Sequence, residues 1–189
     1  QPVIDALVEN KQLIRAEGGY VVMSARSAST IMRTVINNTG SIQAPTLVEK
    51  GGRIVLEGGE QGVVRVGGNL NASATDPGGK GGSIVATGDK VQVTSDARLD
   101  ASGPAGGGKI NVGGGWQGQD ASIRNANAVV VEAGARLDAS ATDNGNGGEV
   151  VVYSNTQLAS GLTRASGELL ARGGAQGGDG GQIDRLQAL

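Results

Sequence analysis

The chain has 189 residues, 35 of them glycine, with one tryptophan, two tyrosines and no phenylalanine, cysteine or histidine. Lys plus Arg (16) nearly balances Asp plus Glu (18), which excludes both the basic field of a nucleic-acid binder and an acidic tail. Without Cys or His the sequence excludes disulfides, thiol catalysis, Cys-ligated zinc and the usual general base, so no catalytic, cofactor-binding or metal-binding residue is assigned. Glycine stands at roughly 2.6 times its average usage, clustered between β-prone runs without a collagen period. Bulky aromatics usually supply much of a globular core; here Val, Ile, Leu and Ala must fill the interior, which suits a narrow, regular one. No apolar run approaches the roughly 20 residues of a membrane span, so no membrane insertion is expected. The chain opens on Gln1-Pro2 and reads as a fragment of a longer protein, with a single domain over 1–189.

In chain order an apolar-x-Ala triplet recurs: Ile14-Arg15-Ala16, Ile42-Gln43-Ala44, Leu70-Asn71-Ala72, Leu99-Asp100-Ala101, Leu137-Asp138-Ala139 and Leu169-Leu170-Ala171. The alanines stand 28, 28, 29, 38 and 32 residues apart. Each triplet is followed at a variable distance by a glycine pair, at Gly18-Gly19, Gly51-Gly52, Gly81-Gly82, Gly107-Gly108, Gly147-Gly148 and Gly180-Gly181. A short strand is predicted after each pair, at Tyr20–Val22, Arg53–Leu56, Ser83–Val85, Lys109–Val112 and Glu149–Val152, with a weak sixth at Gln182–Asp184. A third apolar site precedes the triplet by six residues at Ile36, Val64, Val93 and Val131.

Three short strands per repeat, alternating with period two, is a β pattern. Hairpins would deny equivalent strands equivalent neighbours. Winding the chain into a coil stacks each copy on the last, about 4.8 Å apart, in parallel register. Leu99 then lies over Leu70 and under Leu137. The predicted fold is all-β: a right-handed parallel β-helix of about six coils, the hand being the one parallel crossovers prefer. The glycines are expected to supply positive φ at its turns, and the variable Gly-rich loops to project outward. Two stretches, 24–38 and 154–167, lack clear alternation and are expected to be irregular, the first with a short helical turn before Val35-Ile36 resumes the strand.

Several motifs invite chemistry. "GPAGGGKI" (103–110) matches a phosphate-binding Gly-x4-Gly-Lys, but Ile110 replaces the magnesium-binding hydroxyl and no helix pattern follows. "GGDGGQI" (177–183) resembles a calcium nonapeptide without the tandem copies that such sites need, which favours a turn. Asp100 and Asp138 would stack on one outward face, the arrangement of a glycosidase pair or a cation site. Arg98 and Arg136 stack beside them, however, and a charge-balanced surface accounts for the pattern. Trp116, in "GGGWQGQD", lies in a Gly-rich stretch with Gln117 and Gln119. An aromatic face with flanking amides can stack on sugars or partner surfaces, but a single ring makes a thin site, and covering apolar surface beside the long 113–128 insertion is the favoured role. Trp116 and Gln117 are the candidate ligand contacts.

The segments "LIRAEGGYVVMSA", "VINNTGSIQA", "GGRIVLEGG", "LDASGPAGGGKINVGG", "GARLDASATDNGNGGEVVVYS" and "ARGGAQGGDGGQI" together resemble the filamentous-haemagglutinin type of large exoprotein. The likeness runs through nearly the whole chain, at the tract where the secretion domain ends and the β-helical shaft begins. The Asn-Pro-containing motifs of that family's secretion-domain core are absent. The resemblance implies a secreted or surface-tethered rod of a Gram-negative bacterium, exported by two-partner secretion through an outer-membrane barrel transporter. It also implies a role in adhesion or biofilm, with an exopolysaccharide, host glycan or host protein as partner. On this reading the shaft is structural and non-enzymatic. A polysaccharide-acting β-helix enzyme would need carboxylates and basic residues along several rungs, and a haem-acquisition role lacks His or Cys ligands here.

Overall fold

The computed structural model describes residues 8–25, 36–47, 51–155 and 161–186. Among the described residues the strands form three parallel sheets of six strands each. Sheet A holds Val8–Asn10, Ile36–Asn38, Val63–Val66, Lys90–Val93, Ala128–Val131 and Leu162–Ala165. Sheet B holds Leu13–Arg15, Ser41–Gln43, Asn69–Asn71, Arg98–Asp100, Arg136–Asp138 and Glu168–Leu170. Sheet C holds Tyr20–Ser24, Arg53–Glu57, Ser83–Thr87, Lys109–Val112, Glu149–Val152 and Gln182–Arg185. The chain visits A, B and C in turn and then returns to A one rung further on. This is the parallel β-solenoid that the repeat predicts.

The triplets make sheet B. Ile14, Ile42, Leu70, Leu99, Leu137 and Leu169 pair in unbroken register, so one aliphatic side chain sits on the next through all six rungs. Ile54, Ile84, Ile110 and Val150 do the same inside sheet C. Most of these side chains have no solvent exposure, and each contributes roughly 1.5–3 kcal/mol of burial. The 182–185 strand, weak in the sequence, pairs fully with Glu149–Val152.

Sheet A departs from the expected register. Ile36 and Val64 pair with Val91 and Val129, while Val93 and Val131 continue the column of Asn38 and Val66. The turn into sheet B is two residues longer on those two rungs, Thr94–Ala97 and Glu132–Ala135 against Gly67-Gly68, so a fixed spacing of six picks the wrong valine. Of the two stretches expected to be irregular, residues 26–35 and 156–160 lie outside the described residues. Leu162–Ala165, within the second, is a regular strand whose exposure alternates.

Ten described glycines, Gly68, Gly113 and Gly134 among them, have the positive φ expected at turns, but most of the paired glycines do not. Among the paired glycines only Gly18 has positive φ. Most of the others, Gly51 and Gly180 apart, are glycine because a Cβ would meet backbone atoms. The second member of five of the six pairs donates its N–H to the triplet alanine carbonyl, as in Gly82–Ala72, Gly108–Ala101, Gly148–Ala139 and Gly181–Ala171, each at 2.7 Å; Gly52 donates instead to Thr46 Oγ1. A Cβ on Gly108 would fall on the Gly82 carbonyl oxygen, and one on Gly148 on that of Gly108. A Cβ on Gly107 would fall on the Ala139 carbonyl, where the next rung makes its own closing bond. Gly51 has open space around its Cβ position. Gly108→Ala is therefore expected to lower stability by about 3 kcal/mol or more, the upper range for overpacking, whereas Gly51→Ala stays within about 0.5 kcal/mol. Urea unfolding followed by far-UV circular dichroism measures both.

Candidate ligand-binding cleft

Outward-facing side chains decide what the rod can touch. On sheet B the stacked column Asn71, Asp100 and Asp138 forms as the triplets predict. Each residue uses one side-chain oxygen locally. Asn71 Oδ1 accepts from the Ser73 N–H and hydroxyl, at 2.9 and 2.7 Å, and Asp100 Oδ1 from Ser102 at 2.9 and 2.6 Å. Asp138 Oδ1 accepts from the Ser140 N–H at 3.0 Å. These are Asx turns that carry the chain around the corner from B to C. The recurring Asp/Asn-x-Ser is the sequence signal for them. Arg136 bridges Asp138 at 2.9 Å and Glu168 at 3.0 Å, and Arg98 Nη1 donates to the Gly134 carbonyl at 2.8 Å. Asp100 and Asp138 are thus tied into the corner turns, and Asp138 is also held by Arg136.

Burial works to raise the Asp138 pKa, but hydrogen bonds from Ser140 and the Arg136 guanidinium outweigh it and hold the carboxyl below its ordinary 3.8. A lowered folded-state pKa contributes stability above the unfolded value that is lost as pH falls through the folded one.

Sheet C carries the more open arrangement. After Lys109–Val112 the chain makes a long excursion, residues 113–127, before rejoining sheet A at Ala128. This strap accounts for the 38-residue step between Ala101 and Ala139. It starts at Gly113, with φ at +80°, where the Ala126 N–H closes on the Gly113 carbonyl at 2.6 Å. Its hydrogen bonds and ion pairs reach several rungs. The Gln117 N–H donates to Asp184 Oδ2 at 2.7 Å, on the sixth rung. Thr87 Oγ1 donates to the Arg124 carbonyl at 2.5 Å, and Arg124 lies 3.6 Å from Glu60 beyond the second rung's sheet C strand. Gly118 leaves no room for a Cβ against the Tyr153 ring, and Asn125 donates to its carbonyl at 2.9 Å.

Sheet C's outward column, Val22, Val55, Val85, Asn111 and Val151, would ordinarily face water. Val22 is 47% exposed, while the other four are buried, Val151 completely. A cleft of about 420 Å³ separates the strap from the neighbouring outward column. Trp116 and Ile123 come from the strap side; Arg53, Ser83, Lys109 and Glu149 form the floor, in line along successive rungs. Asp120 also lines it, and hydrogen bonds from the Ser122 hydroxyl and N–H, with weaker help from Lys109 and Arg53, lower its pKa. Arg53 additionally sits 5.5 Å from the centre of the Tyr20 ring.

The structure thus puts Trp116 in the cleft. Gln117 does not line it; it holds φ 50°, the only non-glycine positive φ among the described residues, and Gln119 supplies the lining amide. The charged floor escaped the sequence because Arg53, Lys109 and Glu149 lie far apart in the chain. Among the described residues no group of three or more acidic side chains is placed to hold a metal ion.

Asp138→Asn keeps the Asx turn, as Asn71 does, and is expected to cost at most about 0.5–1 kcal/mol; Asp138→Ala loses the turn acceptor as well and costs about 1 kcal/mol more. Urea titrations across pH should show the wild-type advantage over Asp138→Asn constant above pH 3.8 and shrinking below it. Gln117→Gly relieves the left-handed backbone and is expected to stabilise by about 0.5–1 kcal/mol, read as a raised thermal midpoint.

No protein-family model matches the chain, and neither does any curated protein. A solved structure does: the HMW1 secretion domain from Haemophilus influenzae superposes with a TM-score of 0.73 at 26% identity, over 93% of this chain and 42% of that one. The chain therefore spans less than half the length of the secretion domain it is similar to.

Proposed function

We propose that this chain is the β-solenoid stretch joining secretion domain to shaft in a filamentous-haemagglutinin-type exoprotein of the two-partner secretion pathway. The observation that carries the reading is the likeness to the HMW1 secretion domain over 93% of the chain, on a scaffold of three uninterrupted parallel ladders. A solenoid fits export because each rung needs only its neighbour, so a chain emerging from an outer-membrane barrel can coil as it arrives, without disulfides. The same regularity makes a rod that holds a distal part away from a cell surface.

The shaft is read as structural and adhesive rather than enzymatic. Asp100 and Asp138 are engaged in turn hydrogen bonds, and Asp138 also by Arg136. The partners on this reading are the barrel transporter and a bacterial or host surface glycan, at the surface of a Gram-negative cell.

The test is co-expression of the full exoprotein with and without its barrel partner in a Gram-negative host. Folded, protease-resistant protein should reach the medium or cell surface only with the barrel present. Release without the barrel, or retention inside despite it, would sink the proposal. Incubating the secreted protein with neutral and acidic bacterial polysaccharides should leave them uncut, and cleavage products would overturn the non-enzymatic part.

A further inference from the structure

The cleft beneath the strap has the composition of a site for an uncharged, hydroxyl-rich ligand. Trp116 is the chain's single tryptophan, and the contacts of Gln117 with Asp184 and of Gly118 with Tyr153 tie its segment to the body of the solenoid. Such fixing in advance reduces the ordering cost of binding. The floor repeats with the rungs, about 4.8 Å apart, a step close to the length of one hexose ring. Arg53 and Lys109 offer donors, Glu149 and Asp120 offer acceptors, and none of the four makes an ion pair within 4.0 Å in the described residues. Their formal charges cancel, so the cleft has no net field to select an ionised ligand.

We infer that this cleft binds a neutral saccharide segment of one or two hexose units, its apolar ring face stacked on Trp116 and its hydroxyls shared among Lys109, Glu149 and Asp120. Hydroxyls both donate and accept, which is what an interleaved set of cations and carboxylates satisfies. The cleft's roughly 420 Å³ lies within the ordinary range for small-ligand sites. A nucleic-acid strand would stack as well, but its phosphates need an excess of positive charge that the cleft lacks. The inference deepens the adhesive part of the proposed function and rests on it for the source of the glycan.

Because Trp116 is unique, its fluorescence reports this site alone. The purified 189-residue chain is titrated with cellotetraose, maltotetraose and chitotetraose, and separately with tetragalacturonate. At least one neutral tetrasaccharide should change the emission saturably, with a Kd that moves less than twofold between 0.1 and 0.5 M salt (roughly the screening range that abolishes exposed ion pairing). Lys109→Gln and Glu149→Gln, both outward-facing and checked for an unchanged thermal midpoint, should each weaken it about tenfold or more, equivalent to a lost charge-assisted hydrogen bond. No saturable change with any neutral sugar, or a salt-sensitive preference for tetragalacturonate, overturns the inference. Export succeeding while binding fails would leave the secretion reading intact; binding without export would do the reverse.

Discussion

Closure of each rung depends on one hydrogen bond from a glycine N–H at the corner between sheets B and C, to a backbone carbonyl on five of the six rungs. The second glycine of a pair gives its N–H to the triplet alanine carbonyl, after a loop that differs in length from rung to rung. On the second rung Thr46 Oγ1 takes the alanine's place, accepting from Gly52 at 3.0 Å. Because the glycines above and below press on the same carbonyls, the corner admits no side chain. The strands can keep perfect register while the loops vary, since the bond resets the path before sheet C begins. Aliphatic ladders then supply the burial, and small side chains suffice for so narrow an interior.

How much of this was legible follows from what each residue does. The triplets and glycine pairs could be read because both are tied to a repeated geometric slot, and a slot repeated six times shows through sequence noise. The sheet A register could not be fixed so simply. Val64 and Val66, Val91 and Val93, and Val129 and Val131 offer two inward valines per strand, and only the turn length says which pairs with which. The reason for the paired glycines was also hidden, since crowding by an adjacent rung is invisible in one chain segment while positive φ is the more familiar demand.

The cleft illustrates the same divide. Trp116 drew attention by its rarity, yet its surroundings come from residues between Arg53 and Glu149 that only winding brings together. The strap announced itself as an overlong step in the repeat, but its path could not be foreseen. Its anchoring at Asp184, Tyr153 and Thr87 depends on outward positions, where the repeat imposes no pattern. The Asp-x-Ser corners lie between these extremes. Stacked carboxylates read in sequence as possible chemistry, and their geometry makes them the scaffold's own fittings.

The strap also changes how such a rod bears tension. A pull along the axis acts on the ladder bonds between neighbouring rungs, which open one after another like a peeled strip, each at low force. The strap's contacts reach from Glu60, beyond the second rung's sheet C strand, to Asp184 on the sixth, and so span several of those seams. The firmer of these ties are the hydrogen bonds to Thr87 and Asp184, since the Arg124–Glu60 pair is exposed, so a seam between those rungs cannot open without also breaking a strap contact.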